Sequence, residues 1–160
     1  MSKLGSWSPL WNEYPDYIFY DSPKVKKMIG GGVDVSWFTN TCAIRLSRTL
    51  NYNGFALPRY PGMNTAKGAD GKRYAYRIKE MKPWLNKALG KPDFLINKKQ
   101  GGKFDKKTLW GKKGIIGFDI AFKDATGHLD LWNGLFFSSE HKMTIDYWTN
   151  ATRIWMWNAK

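Results

Sequence analysis

The stretch TNTCAIRLSRTLNYNG, residues 39–54, contains the only cysteine of the 160-residue chain and predicts a helix. Its apolar residues recur at the three- and four-residue spacing of one helix face. Asn40 or Thr41 is suited to cap the start, and Asn53-Gly54 supplies a stop signal. Cys42 therefore falls in the first turn of the predicted helix. The apolar positions that define the face are Ala43, Leu46 and Leu50.

The position of Cys42 suits a catalytic nucleophile. A helix N-terminus offers unpaired N–H groups and the positive end of the helix dipole, and both favour the thiolate, the reactive form of cysteine. The same N–H groups are able to stabilise the oxyanion of an acyl intermediate. Cys42 is therefore the candidate nucleophile of a hydrolase, although a lone free cysteine is more often a small buried hydrophobe.

A cysteine nucleophile also needs an imidazole within hydrogen-bond reach, and the chain has two histidines. His128 opens a predicted strand directly after the turn-like sequence DATG. His141 lies in the polar sequence SSEHK, beyond the end of the predicted hairpin. His128 is therefore the candidate general base, with a satisfied structural histidine as the alternative.

A third group should hold the imidazole in its tautomer and orientation. Asn133-Gly134 before LFF predicts a hairpin turn, and a two-residue turn sets Ser139 opposite His128. A longer loop or a bulge shifts the register by one and brings Glu140 there instead. Asp130 shares a strand face with His128 in either register. Because a carboxylate stabilises an imidazolium better than a hydroxyl does, the order of preference is Glu140, then Asp130, then Ser139.

The other patterns place helices before strands, which predicts an α+β fold. PWLNKALG predicts a second helix that starts near Pro83 and ends at Gly90. Strands are predicted at residues 114–122 and 128–132, and a closing strand in the aromatic C-terminal sequence DYWTNATRIWMW. The Lys-rich residues 97–114 predict an irregular basic loop, and SPKVKKMIGGG predicts a short basic segment that ends in a turn.

Length and composition limit the class of protein. A mass of 18.5 kDa suits a single domain, expected to span residues 1–160, and 42% hydrophobic residues exclude a disordered chain. One cysteine forms no internal disulfide, and the sequence has no zinc-ligand spacing. No apolar run is long enough for a membrane span, and the absence of a signal peptide predicts synthesis in the cytoplasm. The net charge of +13 predicts a polyanionic partner, such as nucleic acid, an anionic membrane or an acidic cell-wall polymer.

Several motifs appear in the order found in the fourth family of type VI secretion amidase effectors. They are NTCAIRLSRTLNYNG, GAD at residues 68–70, GKPD at residues 90–93, KKGI and DATGHLDLWNG. The chain resembles this family over residues 30–134, roughly two thirds of its length. The resemblance implies a papain-like or NlpC-type fold, in which the helix that carries the nucleophile packs on an antiparallel β-sheet.

The resemblance also implies a function. It implies an amidase that type VI secretion injects into the periplasm of a rival bacterium, where it cuts peptidoglycan stem peptides between D-glutamate and meso-diaminopimelate. It assigns Cys42 as nucleophile and His128 as base, requires no cofactor or metal, and implies a cognate immunity protein, which the basic chain predicts to be acidic. The family has an aspartate where this chain has Ser139. Arg45 belongs to the family motif and is expected either to form a structural ion pair or to contact substrate carboxylates.

Two other functions compete with the amidase. A nucleic-acid-binding module would use the positive charge and stacking aromatic side chains, but the basic residues are spread along the chain and no nucleic-acid-binding signature is present. A noncatalytic wall-binding protein would use tryptophans of the tail RIWMWNAK as a platform for sugars. The amidase is the preferred interpretation. Its expected partners are stem peptides and the secretion apparatus, and nucleic acid is not among them.

Overall fold

The computed structural model describes residues 3–99, 102–120, 127–142 and 145–160. The chain divides into two compact units. The helix unit is Ser8–Ala88, and the sheet unit is formed by Met1–Trp7 together with Leu89–Lys160. The single catalytic domain expected over residues 1–160 stays a prediction. None of the helices in the described ranges has the length and apolar character needed to cross a membrane.

The helix unit is built around the helix predicted from the cysteine motif. That helix is α3, Cys42–Asn51, and all of its residues except Arg48 are buried. A helix that is buried nearly all round lies inside its unit. Two short strands form an antiparallel hairpin beside this helix. The elements that contribute to this unit are α1 (Trp7–Glu13), α2 (Ser22–Ile29), α3, β1 (Thr65–Lys67), β2 (Arg73–Ala75) and α4 (Ile78–Leu89).

Hydrogen bonds from side chains join α3 to the hairpin. The Ser47 hydroxyl donates to the Ala43 carbonyl at 2.8 Å and accepts from the Ala75 N–H at 3.0 Å. Asn51 Nδ2 donates to the Arg73 carbonyl at 2.7 Å. These contacts hold helix α3 against strand β2, and buried Ile44 and Tyr74 belong to one apolar cluster there.

Two elements of the helix unit differ from the sequence-based expectation. The basic segment at SPKVKKMI is helix α2, because the Asp21 side chain accepts from the Lys24 N–H at 2.9 Å and a proline suits the first helical turn. Helix α4 begins at Ile78, so Pro83 lies inside it and the predicted start was wrong. Buried apolar side chains on one face of α4 offset the hydrogen bond that Pro83 removes.

The sheet unit contains a four-stranded antiparallel sheet in the order β3-β6-β4-β5. The strand prediction is confirmed over the described residues, since β4 and β5 lie where the sequence placed them; residues 121 and 122 lie outside the described residues. The tail forms a strand in the middle of the sheet. The elements are β3 (Phe94–Asn97), β4 (Gly114–Ile120), β5 (His128–Trp132), α5 (Tyr147–Asn150) and β6 (Ala151–Asn158).

The tryptophans of the tail belong to the core. Trp155 and Trp157 are fully buried, and their indole N–H groups donate to the Asp119 carboxylate at 3.0 Å and the Gly90 carbonyl at 2.8 Å. A side chain at Gly117 would lie 2.2 Å from the Trp155 ring, so this glycine makes room for the indole. The predicted closing strand is therefore confirmed at β6, and the alternative of a sugar platform does not apply to these two tryptophans.

The Lys-rich stretch is more ordered than the predicted loop. A short 3-10 helix, Lys106–Leu109, follows Asp105, whose carboxylate accepts from the Lys107 N–H at 3.0 Å. Leu109 is buried, and its carbonyl accepts from the Trp132 indole N–H at 2.9 Å. The lysines of this segment thus flank an apolar anchor that packs into the sheet unit.

Candidate active site

Cys42 is the first residue of α3 and is buried, with 1% of its surface exposed. Asn40 Oδ1 accepts from the Cys42 N–H at 3.1 Å, so Asn40 supplies the side-chain cap. Thr41 occupies the cap position without a cap bond, and its hydroxyl instead pairs with the Ser22 hydroxyl at 3.1 Å. The predicted placement of Cys42 in the first turn is confirmed, and Asn40 holds the first N–H of the helix.

Arg45 lies one turn into α3 and is completely buried. Its Nε donates to the Thr41 hydroxyl at 3.0 Å, its Nη1 donates to the Pro15 carbonyl at 2.7 Å, and the guanidinium lies 3.7 Å from the centre of the Tyr17 ring. Within the described part of the chain it forms no ion pair, and Nη2 has no hydrogen-bond partner. Arg45 therefore joins the segment before α2 to the start of helix α3, which favours a structural role without the expected ion pair.

His128 is the first residue of β5 and is 2% exposed. Its Nε2 lies 3.0 Å from Asp130 Oδ2 and 3.0 Å from Ser139 Oγ. Tyr147 stacks on the imidazole, with the ring centres 4.8 Å apart and the planes 10° from parallel. One edge of the ring is thus held by two polar groups, and one face is covered by an aromatic ring.

Asp130 is the carboxylate of this arrangement, and it is fully buried. Oδ1 accepts from the Leu131 N–H at 2.8 Å. Oδ2 accepts from the Ser139 N–H at 3.0 Å and the Ser139 hydroxyl at 2.6 Å, in addition to its contact with His128. This set of donors compensates for the loss of water around a buried carboxylate. With an ionised carboxylate, which only accepts, the matching tautomer of His128 has its hydrogen on Nε2 and the lone pair of the neutral ring on Nδ1.

Glu140, placed first in the sequence-based order of preference, does not contact His128. It opens a short 3-10 helix, Glu140–Lys142, and its Oε1 accepts from the Trp148 indole N–H at 2.7 Å. The same oxygen lies 3.6 Å from Lys106 Nζ. The order of preference therefore does not match the geometry, which joins Asp130 and Ser139 to the imidazole. His141 lies in the same short helix and is exposed.

The connection after β5 explains this difference. Trp132 pairs with Phe137, so four residues separate the partners, and neither of the two registers left open by the sequence, the two-residue turn or the loop shifted by one, is present. Asn133 Oδ1 accepts from the N–H groups of Leu135 and Phe136, each at 3.0 Å, which closes a longer loop than Asn133-Gly134 alone. Trp132 and Phe137 form an isolated antiparallel bridge and not part of a longer ladder, so LFF does not form the second strand of a hairpin.

Comparison with known proteins identifies the family. Residues 38–157 match the family described as type VI secretion system (T6SS), amidase effector protein 4. The chain belongs to this family. The Tae4 effector of the Tae4–Tai4 effector-immunity complex from Enterobacter cloacae is 32% identical, with a TM-score of 0.85 over 98% of this chain and 99% of that chain. No match was found among curated protein sequences.

Other solved Tae4 structures agree. The Tae4/Tai4 effector-immunity structure from Salmonella typhimurium is 29% identical, with a TM-score of 0.84 over 98% of this chain and 99% of that chain. Tae4 from Enterobacter cloacae in a separate structure is 30% identical, with a TM-score of 0.83 over 99% of both chains. The chain is thus a type VI secretion amidase effector, and its helices and antiparallel sheet form the predicted α+β, papain-like or NlpC-type fold.

Sequence reasoning missed two contributions to the site. The sequence offered no periodic signal for the stacking of Tyr147 on His128, because the two residues come together only in the folded sheet unit. It ranked Ser139 last, although Ser139 bonds both His128 and Asp130. The spacing of His128 and Asp130 by two residues on a strand was the usable signal, since it places both side chains on one face.

Proposed function

We propose that this effector is a cysteine amidase that cleaves peptidoglycan stem peptides between D-glutamate and meso-diaminopimelate. Cys42 is the nucleophile and His128 the general base. The observation that carries the proposal is the buried imidazole on β5, held at Nε2 by Asp130 and Ser139. This arrangement lies within the region that matches the amidase effector family.

The proposed reaction uses a single imidazole for two proton transfers. His128 Nδ1 takes the proton of the Cys42 thiol, and the thiolate attacks the carbonyl carbon of the D-glutamyl amide. The imidazolium then gives its proton to the amine of diaminopimelate as the C–N bond breaks, leaving a thioester on Cys42. Water, deprotonated by His128, hydrolyses the thioester and restores the thiol. Asp130 stabilises the imidazolium at each stage and acts through His128.

We assign the orienting role to Asp130, with Ser139 as its support. The family aspartate corresponds to Ser139 in this chain, and a serine hydroxyl does not carry the negative charge that stabilises an imidazolium. The Asp130 carboxylate supplies that charge at the same ring nitrogen. Ser139 donates to Asp130 through both its N–H and its hydroxyl, which fixes the carboxylate beside the ring.

The cellular setting follows from the family. We propose that one domain, residues 1–160, is delivered by the type VI secretion apparatus into the periplasm of a competing cell. The relatives of known structure include complexes with the immunity protein Tai4. A cognate immunity protein is therefore proposed here as well, and the net charge of +13 favours an acidic one. The positive charge also suits a substrate with free carboxylates.

The test is the analysis of muropeptides after purified peptidoglycan is incubated with wild type, Cys42→Ala, His128→Ala or His141→Ala. New fragments with a freed diaminopimelate amine are expected from wild type and from His141→Ala, the control, since His141 is exposed. Both active-site variants should leave the wall intact while retaining the wild-type circular dichroism spectrum. Cleavage by folded Cys42→Ala would refute the cysteine mechanism, and fragments cut at another bond would refute the assigned specificity.

A further inference from the structure

A groove in the helix unit lies beside the start of α3. It has a volume of about 430 Å³ and is lined by residues that directly precede the cysteine and by side chains next to strand β2. The volume falls in the range of about 300–1,000 Å³ typical of small-molecule sites. Apolar and polar groups both line it. Residues that matter for its chemistry are Trp37, Phe38, Thr39, Asn40, Tyr76 and Arg77.

Three aromatic rings form one wall of the groove. Phe38 stacks on Tyr76, with ring centres 4.4 Å apart and planes 24° from parallel. Trp37 meets Phe38 edge to face at 6.1 Å and is 72% exposed. Phe38 and Tyr76 thus provide a fixed support, on which Trp37 presents an indole ring to solvent. An indole with an apolar face and a polar N–H suits a ligand that has both characters.

The polar lining combines one arginine with neutral groups. The exposed Arg77 guanidinium pairs with Glu80 at 2.9 Å. Among the described residues, the Thr39 hydroxyl and Asn40 Nδ2 have no hydrogen-bond partner. An exposed indole with free neutral donors and acceptors matches a ring that bears hydroxyl and acetamido groups. Because an aromatic face lies beside neutral hydroxyl and amide groups, the lining suits a sugar ring.

The groove also adjoins the candidate nucleophile. Asn40 lines the groove and its Oδ1 bonds the Cys42 N–H at 3.1 Å. In a stem peptide, L-alanine and D-glutamate separate the scissile amide from the lactyl group of the sugar, a span of about 7 Å for two residues. We propose that this groove binds an N-acetylated amino sugar of the glycan strand, with Trp37 stacked on the sugar ring. The placement rests on the proposed function, because it takes Cys42 as the point of cleavage.

The first experiment compares two substrates with the same scissile bond. One is the disaccharide tetrapeptide, and the other is the free tetrapeptide without sugar. Wild type is expected to have a kcat/KM about tenfold higher for the disaccharide substrate, from the added stacking contact. Trp37→Ala should lose this preference and keep the wild-type kcat/KM for the free peptide. Trp110→Ala, which removes an exposed tryptophan of the sheet unit, is the matched control and should retain the preference.

A binding measurement separates the sugar site from the chemistry. The disaccharide of N-acetylglucosamine and N-acetylmuramic acid, without peptide, is titrated into Cys42→Ala while the indole N–H resonances are recorded by NMR. A saturable shift of the resonance that Trp37→Ala removes supports the site, even if no substrate is cleaved and the proposed function fails. Equal cleavage of both substrates by wild type, equal losses on both in Trp37→Ala, or no shift with the disaccharide would each overturn the sugar site.

Discussion

Two aspartates, one in each unit, collect several hydrogen-bond donors, and their donors differ in kind. Asp70, exposed in the helix unit, accepts from the Tyr74 hydroxyl at 2.7 Å, the Tyr52 hydroxyl at 2.8 Å and the Lys72 N–H at 2.9 Å. Asp130, buried in the sheet unit, accepts from backbone and serine donors and also faces an imidazole. Tyrosine hydroxyls keep their protons at neutral pH, whereas an imidazole exchanges its proton there. A carboxylate therefore ties elements together in one unit and, in the proposed mechanism, supports a proton-transferring imidazole in the other.

The titration behaviour of the Asp70 cluster supports its structural role. Burial alone would raise the pKa of Asp70, but hydrogen bonds from Tyr74, Lys72 and Tyr52 outweigh it and hold the pKa below its ordinary value. Burial and the Asp70 hydrogen bond raise the pKa of Tyr74. The carboxylate stays charged and the phenol neutral across the physiological range. The cluster joins Tyr52, which follows α3, to Tyr74 in β2, and it explains the aspartate of the GAD motif.

The largest effect is expected from Asp130→Asn, which tests whether the two aspartates differ in role. The amide still occupies the space but no longer stabilises the imidazolium, so kcat for stem-peptide hydrolysis should fall about 10³- to 10⁴-fold. Asp70→Asn should leave kcat within about twofold, because Asp70 contacts two tyrosine hydroxyls and the Lys72 N–H and no residue of the proposed active site. Measured kcat values for both variants, checked by circular dichroism, decide the matter. Similar losses in the two variants would show that the carboxylates do not differ in role.

A second substitution in the sheet unit tests whether negative charge beside His128 is what kcat depends on. Ser139→Asp, introduced into Asp130→Asn, returns one carboxylate to the pocket at the position where the family has its aspartate. Recovery of kcat by about tenfold or more is expected, since the negative charge again faces His128. In a wild-type background, the same Ser139→Asp change should lower kcat, because two buried carboxylates would then lie side by side. Absence of recovery in the double variant would mean that position, and not only charge, is decisive.

The effect of Asp70→Asn on stability is expected to be smaller. The amide keeps an acceptor but loses the charge that strengthens the tyrosine hydrogen bonds, so the free energy of unfolding should fall by about 1 kcal/mol. Because the folded-state pKa of Asp70 is lowered, the stabilisation is present above its ordinary value of 3.8 and is lost as pH falls through the folded value. Urea unfolding at neutral and at acidic pH should give a difference between wild type and variant that shrinks in acid. A constant difference would contradict this linkage.

Glu140→Gln should have the smallest effect. Glutamine still accepts from the Trp148 indole, and the contact with Lys106 at 3.6 Å is a partly exposed ion pair worth about 0.5 kcal/mol. The expected kcat equals that of wild type, and the expected change in unfolding free energy is within about 0.5 kcal/mol. A loss of kcat comparable to that of Asp130→Asn would restore Glu140 as the orienting group.

The sequence was informative where local signals decide the structure. The helix at Cys42 and the strands of His128 and Gly114 follow from periodicity, caps and alternation within short windows, and each lies where it was predicted. The orienting group could not be ranked in the same way, because it depends on the register after β5. That register is set by the amide oxygen of Asn133, which closes a four-residue loop through two N–H groups.

Other differences have similar physical causes. Helix α2 begins at the side-chain cap of Asp21, and Lys26 and Lys27 lie in its last turn, where positive charge stabilises a helix. Helix α4 includes Pro83 because its buried face continues on both sides of the proline. Packing within each unit therefore decided boundaries that propensity alone placed elsewhere.

The order of the sheet leaves two edges, and the chain protects them in different ways. The segment after the four-residue loop covers β5, where the Ser138 N–H bonds the Leu131 carbonyl and the Ser139 N–H bonds the Asp130 carboxylate. Strand β3 has only four residues and is followed by Lys98 and Lys99. Short, charged or covered edges resist pairing with the strands of other molecules. The bonds that orient His128 thus also guard against aggregation, so substitutions at Ser139 should be checked for self-association as well as for activity.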